Sequence, residues 1–247
     1  MTMSIRAFAA AGLALCAWHA QAADASTLLK AADRYRVASD DVQVEVQIDT
    51  TKADGSPDKQ RRYLTFAQSG HRSLVLMQSP AERGQKVLML GDDFWLLMPS
   101  SQRPLRITPT QKLLGDASTG DVATLRWSED YTAEVVGEER CGDAPCIRLA
   151  LTAARKGVTY QRIALWIGAA KHEPLRADLY VQSEKLAKQA RFVMDRPEAP
   201  TTMTGMVLSD QLANGRETRV TYLSRKSRSV PEAWLNPMYL ARNPGLE

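Results

Sequence analysis

Val42, Val44, Val46 and Ile48 alternate with Gln43, Glu45, Gln47 and Asp49, a period of two that sets one face of a strand against a core and the other in water. Upstream, Leu28, Leu29, Ala32 and Tyr35 fall on one helical stripe behind the capping residue Ser26, so the pattern predicts a helix from there to about Val37, lying on the sheet. After the turn Asp54-Gly55, Arg62-Leu64-Phe66 returns as the partner strand, and Ser69-Gly70 turns again into a strand over 73–78. The stretch 86–107 holds two apolar runs, 87–90 and 94–98, around the turn group Gly91-Asp92-Asp93. The run Phe94-Trp95-Leu96-Leu97-Met98 has no polar residue at alternate positions. Both of its faces must therefore be covered, one by the core and the other by a second layer or a bound apolar ligand.

Between 108 and 126 the alternation lapses, and small polar residues flanked by Gly115 and Gly120 predict a loop laid over the sheet, with Asp121 capping a short helix that carries Val122 and Leu125. Strands resume at 131–136, at Ile147-Leu149-Leu151, at 160–167, at 174–181 and at 185–195. The segments 202–208 and 219–223 flank the hairpin signal Asn214-Gly215, and 231–240 is a short amphipathic tail with Trp234, Met238 and Tyr239. Ten or eleven antiparallel strands with two or three short helices, and no Gly-, Pro- or Ser-rich boundary between them, predict one domain built on a strongly curved antiparallel sheet.

The ends of the chain change this picture. Arg6 followed by the apolar run 7–17 and the small-x-small group Ala20-Gln21-Ala22 reads as a secretory signal peptide over 1–22, with the folded domain over 23–247. Cys16 lies near the end of the apolar run, but Leu15 stands where lipoprotein signals carry a small side chain, so export without acylation is the reading. Cys141 and Cys146 then form an even pair in an exported chain, most simply a disulfide closing a hairpin tip. Removing Arg6 from 32 basic residues leaves 31 against 28 acidic, a mild excess without the basic and aromatic clustering that nucleic-acid binding needs.

Catalytic chemistry is hard to find. His71 and His172 sit beside turn residues, where a solvated histidine is the simpler reading, and there is no HExxH, GxSxG, phosphate-cradling loop or zinc-spaced Cys/His set. The adjacent pairs Asp92-Asp93 and Glu129-Asp130 diverge on a turn or strand and cannot face one another as working carboxylates. No enzyme activity, metal or cofactor is expected. What the chain does hold is an excess of large, adaptable apolar side chains, among them Met77, Met89, Met98, Met203, Met206, Trp95, Trp127 and Trp166, a mixture suited to acyl chains as well as to an ordinary core. A concave sheet under a short helical cover leaves a cavity unless side chains fill it. The residues expected to line it are Leu64, Phe66, Leu76, Met89, Trp95, Leu97, Leu149, Trp166 and Leu179, each face assignment being open by one register.

A series of residues running through nearly the whole mature chain carries a resemblance. Gly84-x-x-Val87-Leu88, Trp95-Leu96-x-Met98-Pro99-Ser100, Arg106-Ile107, Gly120-Asp121, Tyr131, Tyr160-x-Arg162-Ile163-x-Leu165-Trp166-Ile167, Pro174-Leu175-Arg176 and Leu186-x-Lys188 resemble the outer-membrane lipoprotein-sorting, or LolA-like, proteins of Gram-negative bacteria. The resemblance implies a half-open barrel of about eleven antiparallel strands, covered by short helices, whose apolar interior carries lipoprotein acyl chains or phospholipid across the periplasm. It also implies a monomer that touches membranes transiently and receives cargo from an inner-membrane transporter. Two other functions fit the same fold: an envelope sensor that regulates a partner protein, and a lipid hydrolase.

Overall fold

The structure, a computed structural model, describes residues 17–37, 39–52, 54–101, 103–114, 117–123, 126–211 and 217–240. Helix α1 (Ala17–Arg36) opens it. It begins upstream of Ser26, because the alanine-rich stretch before Ser26 has high helix propensity and carries the helix through the expected cap. The strands that follow are β1 (Val42–Thr51), β2 (Pro57–Gln68), β3 (Arg72–Met77), β4 (Lys86–Leu90), β5 (Asp93–Leu97) and β6 (Leu105–Ile107). A connecting segment holds β7 (Lys112–Leu114), β8 (Ala117–Ser118), α2 (Thr119–Ala123) and α3 (Trp127–Asp130). The second half comprises β9 (Tyr131–Cys141), β10 (Ala144–Ala153), β11 (Arg162–Gly168), β12 (Pro174–Tyr180), β13 (Leu186–Met194), β14 (Met203–Asp210) and β15 (Glu217–Ser227), and α4 (Pro237–Leu240) lies in the tail.

Among the described residues, thirteen strands form one antiparallel sheet in the order β6-β5-β4-β3-β2-β1-β15-β14-β13-β12-β11-β10-β9. That is two or three more than the ten or eleven expected from the sequence pattern. The sheet does not close, and β6 and β9 remain its two edges. Its centre is the pairing of β1 with β15, which joins the two meanders and explains why the 42–48 pattern is the cleanest in the chain. The signal Asn214-Gly215 lies outside the described residues, as does most of the segment read as a signal peptide. Cys141 and Cys146 are joined by a disulfide at the tip of the β9–β10 hairpin.

The register assigns the faces. Val42, Val44, Val46 and Ile48 of β1 stand in line with Ala67, Thr65 and Tyr63 of β2, Val75 and Met77 of β3, and Val220 and Tyr222 of β15. On the other half, Ala177 and Leu179, Ile163 and Leu165, and Leu149 and Leu151 continue the same face. These residues, with Leu28, Leu29 and Ala32 of α1 and Val122, Ala123 and Trp127 of the connecting segment, make the principal core. The opposite face carries a second core, in which Phe66, Leu74, Leu76, Leu88 and Leu97 are covered by Val230, Trp234, Leu235 and Leu240. The apolar run 94–98 is thus covered on its second side by a layer of protein, the tail of the chain itself.

Candidate functional site

An open, curved sheet has an apolar inner face that a short cover must shield. Here the cover is α1, which packs on β9 and α3, together with the segment 108–130, whose α2 packs on β2 and β3. The segment is fastened to itself, since Thr119 N–H donates to the Gln111 carbonyl and Gly120 N–H to the Pro109 carbonyl. Asp121 does not cap α2. It lies three residues inside, and its carboxylate accepts from the Ser118 N–H at 2.8 Å and the Ser118 hydroxyl at 2.7 Å, reaching back in the manner of a capping box. Gly120 lets this turn sit hard against the 154–161 loop: a Cβ there would lie 1.7 Å from Thr159 Oγ1 and 3.2 Å from the Pro109 carbonyl oxygen.

Beneath α2 the inner face is not uniformly apolar. Lys188 of β13 stands on the inward phase with Ala190 and Phe192, and its Nζ donates to Asp121 Oδ2 at 2.9 Å. Tyr160 donates its hydroxyl to Asp121 Oδ1 at 2.8 Å, and the Tyr131 hydroxyl donates to the Tyr160 carbonyl at 3.0 Å. The side chains of Lys188 and Asp121 are 8% and 5% exposed, so this ion pair is shut away from water. Burial by itself would push the Asp121 carboxyl up, but the Lys188 charge and the hydrogen bonds from Ser118 and Lys188 outweigh it and hold the carboxyl below its ordinary value. Asp121 and Tyr160 border a cavity of about 50 Å³ lined otherwise by Arg36, Trp127, Ile163, Leu179, Phe192, Met206 and neighbours. A space of this size has room for a few waters and none for an acyl chain. The interior expected to be hollow is filled by the cover.

Two further sets of polar contacts hold the cover. Asp33 of α1 accepts from the N–H groups of Trp127 and Ser128 at 3.0 and 2.7 Å, satisfying the start of α3, while the Arg36 guanidinium lies 3.8 Å from the Trp127 ring centroid. At one rim, Arg155 donates to the buried Asp130, to Asp92 and to the Gly91 carbonyl, and His71 Nδ1 lies 3.2 Å from Asp130. Arg155 so ties the β4–β5 turn to the end of the cover. His71, expected in solvent, is instead part of this clasp, and Asp92 and Asp93 diverge as expected, toward Arg155 and Arg106.

Of the nine residues expected to share a cavity wall, Met89, Leu149 and Leu179 stand on the inner face. Leu64, Phe66, Leu76, Trp95 and Leu97 stand on the opposite face beneath the chain's tail, and Trp166 lies in a third cluster with Cys146 and Ala164. The structure thus divides the nine, with three on the inner face, five together on the outer face and Trp166 apart from both. Asp121, Tyr160 and Lys188 are what sequence reasoning missed as a site, although a lysine on the inward phase of β13 was the available signal.

Four tyrosines in and around this core carry a testable consequence. Burial pushes the hydroxyls of Tyr63, Tyr131, Tyr160 and Tyr222 above the ordinary 10.0, reinforced at Tyr63 by Glu82, at Tyr131 by Asp130 and at Tyr160 by Asp121. A raised folded value means the native state keeps protons that the unfolded state releases, so this contribution is complete below pH 10 and shrinks as pH rises beyond it. Each such group removes up to about 1.4 kcal/mol per pH unit above that point. Urea midpoints should fall steeply from pH 9.5 to 11.5, with part of the tyrosinate absorbance appearing only on unfolding; a flat midpoint would contradict the burial.

An unclosed antiparallel sheet whose inner face is roofed by short helices and a strapped segment defines the class of half-open β-barrels. A family model described only as an uncharacterized protein matches residues 69–242. A LolA superfamily protein from Nitrosomonas europaea is 31% identical, with a TM-score of 0.79 over 87% of this chain and 98% of that one. The chain belongs to the LolA superfamily. A putative outer membrane lipoprotein-sorting protein domain from Vibrio parahaemolyticus (17% identical, TM-score 0.68, covering 90% of this chain and 100% of that one) shares the fold. So does a DUF1329 family protein from Desulfovibrio piger (22% identical, TM-score 0.68, covering 89% and 99%). No curated protein matches the chain.

Proposed function

We propose that this protein is a periplasmic carrier that binds the acyl chains of a lipoprotein or lipid against the inner face of its sheet, the cover being displaced as the chain enters. The observation that carries this reading is the kind of roof the apolar face has. A closed barrel or a second sheet would seal such a face permanently, whereas here it is shielded by α1 and by a connecting segment strapped down through a few polar contacts. Opening this roof breaks those contacts and exposes Val122, Ala123 and Trp127 while the sheet beneath stays paired, a cost that an incoming chain has to offset. The superfamily relationship supports the same reading. Burial of each methylene contributes about 0.8 kcal/mol, so a chain of a dozen groups gains roughly 10 kcal/mol gross, enough to offset displacement of the cover. On this reading the segment 1–22 directs export and is removed, catalysis is not involved, and an inner-membrane partner supplies the cargo.

Native mass spectrometry with lipid extraction, applied to the mature protein isolated from its own periplasm, tests the proposal. Bound lipid, together with increased hydrogen exchange over 108–130 on loading, is the expected result. Protein that is empty as isolated and takes up no acyl probe would overturn it, and stoichiometric co-purification of a protein partner without lipid would favour a sensor of the same fold.

A further inference from the structure

Resting on the carrier reading, we infer that Lys188 and Tyr160 are the binding site for an anionic group on the cargo, and that Asp121 occupies that site as an internal stand-in while the protein is closed. The division of the cluster between elements makes the point. Asp121 and Ser118 belong to the cover and are bonded to each other, so they leave together when α2 lifts. Lys188 belongs to β13 and Tyr160 stands immediately before β11, held by the Tyr131 hydroxyl on its carbonyl, so both stay with the wall. What remains after opening is an ammonium and a phenol hydroxyl, the donors that had met the two oxygens of one carboxylate from 2.9 and 2.8 Å.

Tyr160 borders a space whose apolar lining includes Ile163, Leu179, Phe192 and Met206, Lys188 stands in register with Leu179 on the same inner face, and Arg36 borders that space with its guanidinium over Trp127 and 3.6 Å from Asp33. An ammonium left there without an anion is heavily penalised, so a chain that brings none leaves the open state unfavourable. A chain bearing a carboxylate or a phosphate restores the two-point contact that Asp121 made and relieves that penalty. The site therefore selects an amphiphile with one anionic group joined to an acyl chain over a neutral lipid of the same length. Opening and loading become an exchange of one carboxylate for another anion, which gives the cover a reason to stay shut until the right molecule arrives.

Isothermal titration calorimetry of the delipidated full mature chain with hexadecanoic acid, hexadecyl phosphate and hexadecanol tests this directly. The wild type should bind at least one of the two anions about tenfold or more tighter than the alcohol, and which of them it prefers assigns the group as carboxylate or phosphate. In the double variant Asp121→Leu/Lys188→Met the three affinities should converge to within about twofold, with alcohol binding retained. Tyr160→Phe, which removes one hydroxyl and leaves the ion pair, should narrow the preference by about threefold and serves if the double variant does not fold. Equal binding of acid, phosphate and alcohol by the wild type, or a preference that survives in the variants, overturns the assignment while leaving the carrier reading intact. Binding of none of the three overturns both.

Discussion

Replacing Lys188 by methionine is expected to lower folding stability by about 3–5 kcal/mol, because it strands the Asp121 carboxylate in an interior from which water is excluded. The size of the effect comes from what is left behind, since a well-packed apolar pair in the same place is often neutral or stabilising. Asp121→Leu combined with Lys188→Met should accordingly regain most of the loss, and a chemical denaturation cycle over the four proteins would give a large coupling between the two positions. The pH dependence has a definite sign. In the wild type the Asp121 carboxyl is held below its ordinary 3.8, so its contribution is present above that value and is lost as pH falls through the lower, folded one. Without the lysine the carboxyl takes up its proton more readily, so the deficit of the single variant should narrow toward pH 3–4. A single variant within about 1 kcal/mol of the wild type at pH 7 would mean that water reaches the pair and that the cover is open in the resting protein.

The same cluster explains why the fold was more legible than the site. Strands whose two phases differ in polarity could be oriented from sequence: Leu149 and Leu179 alternate with Arg148, Arg176 and Asp178, and both face inward. Strands apolar on both phases could not. In β2 the wholly apolar side chains Leu64 and Phe66 invite an inward assignment, yet the inward residues are Tyr63, Thr65 and Ala67, and the apolar pair serves the second core. Trp166 in the run 163–167 is ambiguous for the same reason. Nothing within β2 settles its phase, because it depends on a segment more than a hundred residues away folding back over the outer face. The polar cluster is equally non-local, uniting residues 121, 160 and 188 from a cover, a loop and a strand. It was nonetheless present in the resemblance, whose series contains Gly120-Asp121, Tyr131, Tyr160 and Lys188 without indicating that they meet.

That distant segment supplies the other large effect: Trp234→Ala should cost about 3–5 kcal/mol, the range for truncating a buried aromatic, while leaving the ligand preference of the inner face unchanged. Trp234 is 9% exposed and meets Phe66 edge-on, with ring centroids 5.7 Å apart at 78°. A tryptophan buries about 150–250 Å², which at about 25 cal/mol per Å² gives roughly 4–6 kcal/mol as an upper bound, consistent with that range. The segment is stapled by Gln68 to Ser229 and the Val230 carbonyl, by Arg72 to Glu232 and by Lys86 to the Leu240 carbonyl, so the truncation leaves its path in place and removes chiefly the apolar cover. Partial exposure of Phe66, Leu74, Leu76, Leu88 and Leu97 should then appear as dye binding and concentration-dependent association. The contrast with Lys188 is the informative part, because the two substitutions sit on opposite faces of one sheet. Loss of stability with unaltered discrimination between hexadecanoic acid and hexadecanol separates the scaffold from the site; a Trp234 variant that lost the discrimination would show that the two faces are coupled through β2 to β5 and that the outer layer belongs to the carrier's mechanism.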